Sequence, residues 1–268
     1  MKRVFSAWLA VALSSSAYAA PQQLDLTPSD KWRVDYADDA CILSRSFKSG
    51  GQEYKLGLTF EPVSADVWMR LRAPDSVSHF DSGEMKVEVD GVPLKALVHF
   101  NVFQDKSGGA TREYWLRDFS NKFAGTQRTL RLNTGRYGDI QIGFDGFAEA
   151  LKSIGTCVDD LHRSLGIDPA LLKTVASPPE PISGTFPTMP TYKDEFVYQM
   201  LYWVAPSGRV DECHLLVPTG AQSFDKTACE EMKKNARFKP ARNKAGQPVR
   251  APIYENARIR RVVYRSES

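Results

Sequence analysis

The chain has few of the residues and none of the spacings on which common catalytic and metal centres are built. Its four histidines, His79, His99, His162 and His214, are scattered and form neither an HExxH motif nor an i, i+4 pair. No GxSxG, GxGxxG or phosphate-binding loop is present. The four cysteines, Cys41, Cys157, Cys213 and Cys229, show neither CxxC nor Cys/His ligand spacing. These absences remove the usual hydrolase, dinucleotide, nucleotide and structural-zinc frameworks, so no catalytic residue, metal or cofactor is expected. Charge of one sign is lacking too. The formal net charge is only +3, which gives no reason to expect a nucleic-acid partner. Beyond the first residues no apolar run reaches the roughly twenty residues a bilayer-spanning helix needs.

One stretch imitates catalysis. Ser223-Phe224-Asp225-Lys226 fits the S-x-x-K pattern of penicillin-recognising hydrolases. The companion SDN and KTG elements are absent, and Ser223 reads as the N-cap of a helix. The paired acids Asp38-Asp39 and Asp159-Asp160 read as a turn and a helix surface.

What is present begins with a leader. Lys2 and Arg3 precede an apolar run from Val4 to Leu13, three serines break it, and Ala17-Tyr18-Ala19 offers a small-x-small cleavage pattern. Residues 1–19 are therefore expected to be a signal peptide cut near Ala19. An even cysteine count in an exported chain reads as disulfides, with three pairings open. Position along the chain favours Cys41–Cys157 and Cys213–Cys229.

The pattern predicts an α+β chain in two units. The first, residues 21–173, is mostly β, with strands at Trp32–Tyr36, Ala40–Phe47, Tyr54–Phe60, Met85–Val89, Ala96–Phe103, Tyr114–Phe119 and Asp139–Phe144. Its one long helix, Phe147–Leu165, carries Ala150, Leu151, Ile154, Val158, Leu161 and Leu165 as a single apolar stripe. The aromatics Trp68, Tyr114, Trp115, Phe119 and Phe123 read as core. Residues 174–191 hold five prolines and read as an extended, semi-rigid linker. Residues 192–268 carry 14 basic against 9 acidic side chains, net +5, and follow a β-β-α-β order. Their strands are Phe196–Val204, Val210–Val217 and Tyr254–Tyr264, and their helix is Phe224–Ala236.

Four short segments of this second unit occur in a telling order: Ser207-Gly208-Arg209-Val210 at the turn, Phe224-Asp225 opening the helix, Arg237-Phe238-Lys239-Pro240-Ala241 after it, and Gly246-Gln247-Pro248-Val249 before the last strand. With them, the segment resembles the C-terminal domain of TonB-family proteins. The resemblance implies a periplasmic location and a partner that is an extended segment of an envelope protein, an outer-membrane transporter among them, paired with a sheet edge. The edge so implied is Tyr254–Tyr264, with Tyr254, Arg258, Arg260 and Tyr264 as binding residues. Charge on an edge strand also serves to block unwanted pairing.

A force-transducing member of that family keeps its membrane anchor and a long Pro-rich spacer. This chain has a cleavable-looking leader and a short linker, so it is expected to bind without transducing energy. Three alternatives stand beside that reading. The basic unit could hold peptidoglycan or another polyanion as a scaffold, the C-terminal unit could form a homodimer, or the first unit could be an unrecognised hydrolase.

Overall fold

The computed structural model describes residues 23–260, apart from 78–79, 95–97, 105–107, 118, 120–125, 127, 134–137, 183–186 and 188–194. The leader, Phe123 and Tyr264 thus lie outside the described residues. Alternating burial sets the first architecture. The strands are β1 (Leu24–Pro28), β2 (Arg33–Tyr36), β3 (Cys41–Ser49), β4 (Gln52–Phe60), β5 (Val67–Ala73), β6 (Asp81–Val89), β7 (Val92–Pro93), β8 (Val98–Gln104), β9 (Ala110–Leu116), β10 (Thr129–Asn133) and β11 (Asp139–Gly143). Their order is β1-β11-β10-β6-β8-β9-β5-β4-β3, and β1 also pairs with β3. That pairing closes a nine-stranded barrel among the described residues, and closure leaves no edge within the ring. β2 and β7 hang from β3 and β6.

Side chains of period two fill the barrel. One row across it, Leu43, Leu58, Met69, Tyr114 and Phe100, is buried throughout. The β3–β4 hairpin turns on Gly50 and Gly51, both at positive φ, the mirror-image turn that matches strand twist. Helix α1 (Phe147–Ser164) lies against β2 and β3, and its stripe joins the barrel core. Cys157 of α1 is bonded to Cys41 of β3. The one-turn α2 (Pro169–Leu172) follows.

The outer face corrects one expectation. Trp68 and Trp115 stand on it rather than in the core, stacked at 5.7 Å, with Arg117 over Trp115. Trp68 is 37% exposed, whereas Tyr114 and Phe119 are buried. Trp68 and Trp115 cover parts of each other's faces, which suits a pair stabilising neighbouring strands.

The proline-rich stretch is extended but not free. Its short strands β12 (Val175–Ser177) and β13 (Glu180–Pro181) pair with two later ones, β17 (Ala241–Asn243) and β16 (Phe238–Lys239), and Pro179 between them is buried. Both are edge strands of their small sheets, and an edge tolerates proline because it needs only one side of its backbone. What read as a spacer is thus partly strapped to the C-terminal unit.

That unit consists of β14 (Glu195–Val204), β15 (Val210–Val217), α3 (Gln222–Asn235), β16 (Phe238–Lys239), β17 (Ala241–Asn243), β18 (Pro248–Val249) and β19 (Ala251–Arg260). β14 is central, flanked by β15 and β19. Ser223 is not the cap of α3. The N-cap is Ala221, and Asp225 instead bonds the backbone N–H and hydroxyl of Thr219 at 3.0 and 2.6 Å, fastening the entry turn. Cys213 of β15 is bonded to Cys229 of α3. Gly208 explains part of the Ser-Gly-Arg-Val signature: at φ +78 a Cβ there would sit 2.2 Å from the Phe238 carbonyl oxygen.

Candidate functional site

The three-stranded sheet is covered on both faces, and among the described residues its two edges pair with no further strand. On one face Phe196, Met200 and Tyr202 of β14 pack with Phe224, Ala228 and Met232 of α3. On the other, Leu201 and Trp203 of β14 and Tyr254 of β19 pack with Ile167 beside α1, and with Val63, Leu171 and Leu172 of the barrel side. Alternation along β14 alone produces this division.

The two edges differ. β15 meets β14 through two register shifts and carries Asp211, Glu212 and His214. Arg250 crosses over Trp203 at 4.3 Å to pair with Asp211 and Glu212 at 2.9 and 2.6 Å. An irregular, charged edge resists pairing. β19, by contrast, pairs with β14 residue for residue from Ala251 to Arg260 without a shift. Its far side meets no strand among the described residues. Pro252, opposite Trp203, has no N–H for the ladder, so its nitrogen faces the open side. Alternation then turns the backbone groups of Tyr254, Asn256 and Arg258 outward as well. The result is a regular row of outward donors and acceptors that no strand among the described residues takes up.

The residues expected from the sequence are placed unevenly on that row. Tyr254 is buried: its ring fills the contact with the barrel and its hydroxyl donates to the Asp39 carbonyl at 3.4 Å. Burial, with the nearby Asp39 and Glu61, pushes its phenol up. Arg258 and Arg260 lie in β19 opposite Val197 and Glu195. Tyr264 is outside the described residues. The edge therefore offers backbone, with Tyr254 serving as an interface anchor beneath it. Ser223 and Lys226 are both exposed on α3, and the Ser223 carbonyl accepts from Thr227 at 3.0 Å.

Sequence reading missed Glu255. It sits on the α3 side of β19 between two tyrosines of β14, accepting from Tyr202 at 2.8 Å and Tyr198 at 3.4 Å. Burial pushes its carboxyl up, more than the two hydroxyls pull it down. Among the described residues no cation contributes. Both phenols are in turn pushed up by burial and by this carboxylate. One signal was legible: Ala251, Ile253, Glu255 and Ala257 alternate on one face, and a single acid breaks the apolar series.

A second acid with no cation beside it among the described residues lies under the contact with the barrel. Glu61, just after β4, is pushed up to about 7 by burial and by the carboxylates of Asp39 and Asp66. Beside it Gln199 donates to the Asp39 carboxylate, and the His162 ring meets the Pro62 carbonyl. The β14 sheet is thus fastened to the barrel through an apolar patch with an acidic border. Among the described residues no three His, Cys, Asp or Glu side chains are placed to hold a metal ion. Nor is any described helix long and apolar enough to cross a membrane.

Residues 197–258 match the family described as the Gram-negative bacterial TonB protein C-terminal. The matched span runs from β14 through α3 into β19 and contains the open edge and Glu255. No curated protein matches the chain. The chain thus carries a TonB-like C-terminal domain, a module typical of Gram-negative envelope proteins, whose relatives engage envelope partners such as outer-membrane transporters.

Proposed function

We propose that the chain is a non-catalytic adaptor of the Gram-negative periplasm whose β19 edge takes up an extended segment of another envelope protein by strand addition. The observation that carries this reading is the unbroken β19 ladder inside the TonB-like span, whose far side no strand among the described residues pairs. Backbone pairing supplies affinity in this mode, and side chains on alternate positions supply selectivity. The barrel behind the sheet acts as a rigid seat, since it packs on the face and leaves the edge alone. Energy transduction is not part of the proposal, because the Pro-rich segment is short and its part from Val175 to Pro181 is paired with β16 and β17.

The test is a pull-down from envelope extract with the full chain and with Asn256→Pro. That substitution removes one outward N–H while keeping the bonds to β14. Loss of the captured envelope protein, with the circular dichroism and melting curve of the variant unchanged, is the expected outcome. Equal capture by both proteins would rule strand addition at β19 out. A second reading, binding of peptidoglycan or another polyanion, has the net +5 of residues 187–268 behind it, with Lys226, Lys233 and Lys234 exposed on α3. Co-sedimentation with sacculi that falls steeply as salt rises would favour it.

A further inference from the structure

Glu255 has a role that strand addition by itself does not require. It is a half-buried carboxylate on the strand that forms the open edge, held by two neutral hydroxyls, with no cation among the described residues to partner it. A strand joining β19 would cover it further. Withdrawing a carboxylate from water without a positive partner is costly, whereas a charge-assisted hydrogen bond to it is among the stronger polar contacts.

We propose that the β19 edge selects an extended peptide with a basic side chain, lysine or arginine, at the position lying beside Glu255, and apolar side chains two residues to either side. The proposal rests on the strand-addition reading. Its second half follows from register. On the α3 face of β19, Glu255 is flanked by Ile253 and Ala257, both half-buried. Side chains of an added strand stand directly opposite these three, within contact distance of their partners. An apolar–x–basic–x–apolar series therefore matches that face position by position.

The same argument sets a second copy of the chain aside as the occupant. In an antiparallel pairing of two β19 strands the like faces meet, so Glu255 would stand opposite Ala251, Ile253, Glu255, Ala257 or Ile259 of the copy. None of these is basic. Self-pairing within Ala251–Arg260 leaves both acids without a cation, and a peptide with one lysine does not.

A random octapeptide library displayed on phage and selected on the immobilised full chain tests this. Recovered peptides are expected to carry lysine or arginine at one common position, with apolar residues two places before and after. Glu255→Gln keeps an acceptor for the tyrosine hydroxyls. It should weaken a selected peptide about tenfold, the loss of one charge-assisted bond, and its own selection should show no basic preference. Peptides recovered without a basic preference, or the same preference with Glu255→Gln, would overturn the inference while leaving strand addition standing. Recovery of no peptide above the Asn256→Pro control would overturn both. A concentration-dependent dimer that Asn256→Pro abolishes, with no peptide competing for it, would overturn the choice of occupant.

Discussion

Replacing Glu61 by glutamine should abolish a pH dependence that the structure places at the junction of barrel and sheet. The carboxyl follows the last residue of β4 and precedes Pro62 and Val63, the latter packed against the patch that receives Trp203 and Tyr254. Burial and the charges of Asp39 and Asp66 raise it from an ordinary 4.5 to about 7. A raised carboxyl binds its proton more tightly in the folded chain than in the unfolded one. Its contribution to stability is fully present below about pH 4.5 and is lost as pH climbs through about 7. At about 1.4 kcal/mol per pH unit, the interval corresponds to about 3 kcal/mol. The assay is urea unfolding of the chain and of Glu61→Gln at intervals from pH 4.5 to pH 8. The two proteins should have similar midpoints at the acid end. Above pH 7 the variant should lead by roughly 1 M urea, taking a slope of about 3 kcal/mol/M. Midpoint curves that run parallel, or a wild-type chain more stable than the variant at pH 8, would refute the assignment of an uncompensated acid to this junction.

Three further outcomes follow from the packing. Ile167→Asp puts a carboxylate into the patch that joins barrel and sheet, where Ile167 is 1% exposed. Small-angle scattering should show a larger radius of gyration with both disulfides intact, and an unchanged radius would count against the interface. Gly208→Ala should destabilise the C-terminal unit by more than about 2 kcal/mol, since left-handed strain adds to a clash with the Phe238 carbonyl. A melting temperature equal to that of the parent chain would contradict the close approach. Non-reducing peptide mapping should return Cys41–Cys157 and Cys213–Cys229. Opening the long loop should cost about 4–5 kcal/mol against about 3 for the short one in the chain-entropy account; equal losses in the two double-serine variants would argue against loop length as the cause.

Some of this was legible in the amino-acid order. The apolar stripe of α1 and the bounds of β15 followed from local period, which depends only on how far apart side chains lie along one element. Both cysteine pairs were chosen by position. The TonB-like segment showed itself because its turn glycine, Arg-Phe-Lys-Pro-Ala run and closing strand are local signatures with local causes, as Gly208 under the Phe238 carbonyl illustrates.

Three features were settled only by distant residues meeting. Closure of the barrel depends on β1 lying between β11 and β3, a parallel contact and an antiparallel one for which a five-residue strand carries no mark. The fate of the proline-rich stretch was decided by β16 and β17, whose backbone groups needed partners that the stretch could give. The candidate site changed most. Tyr254 and its neighbours read from sequence as an open surface, but a strand of period two says only that two faces exist. It does not say which face another part of the chain will cover. The barrel took the face with Tyr254, and α3 took the face with Glu255. What remained open among the described residues was the backbone edge between them, a property of the sheet as a whole, which no single residue of β19 records.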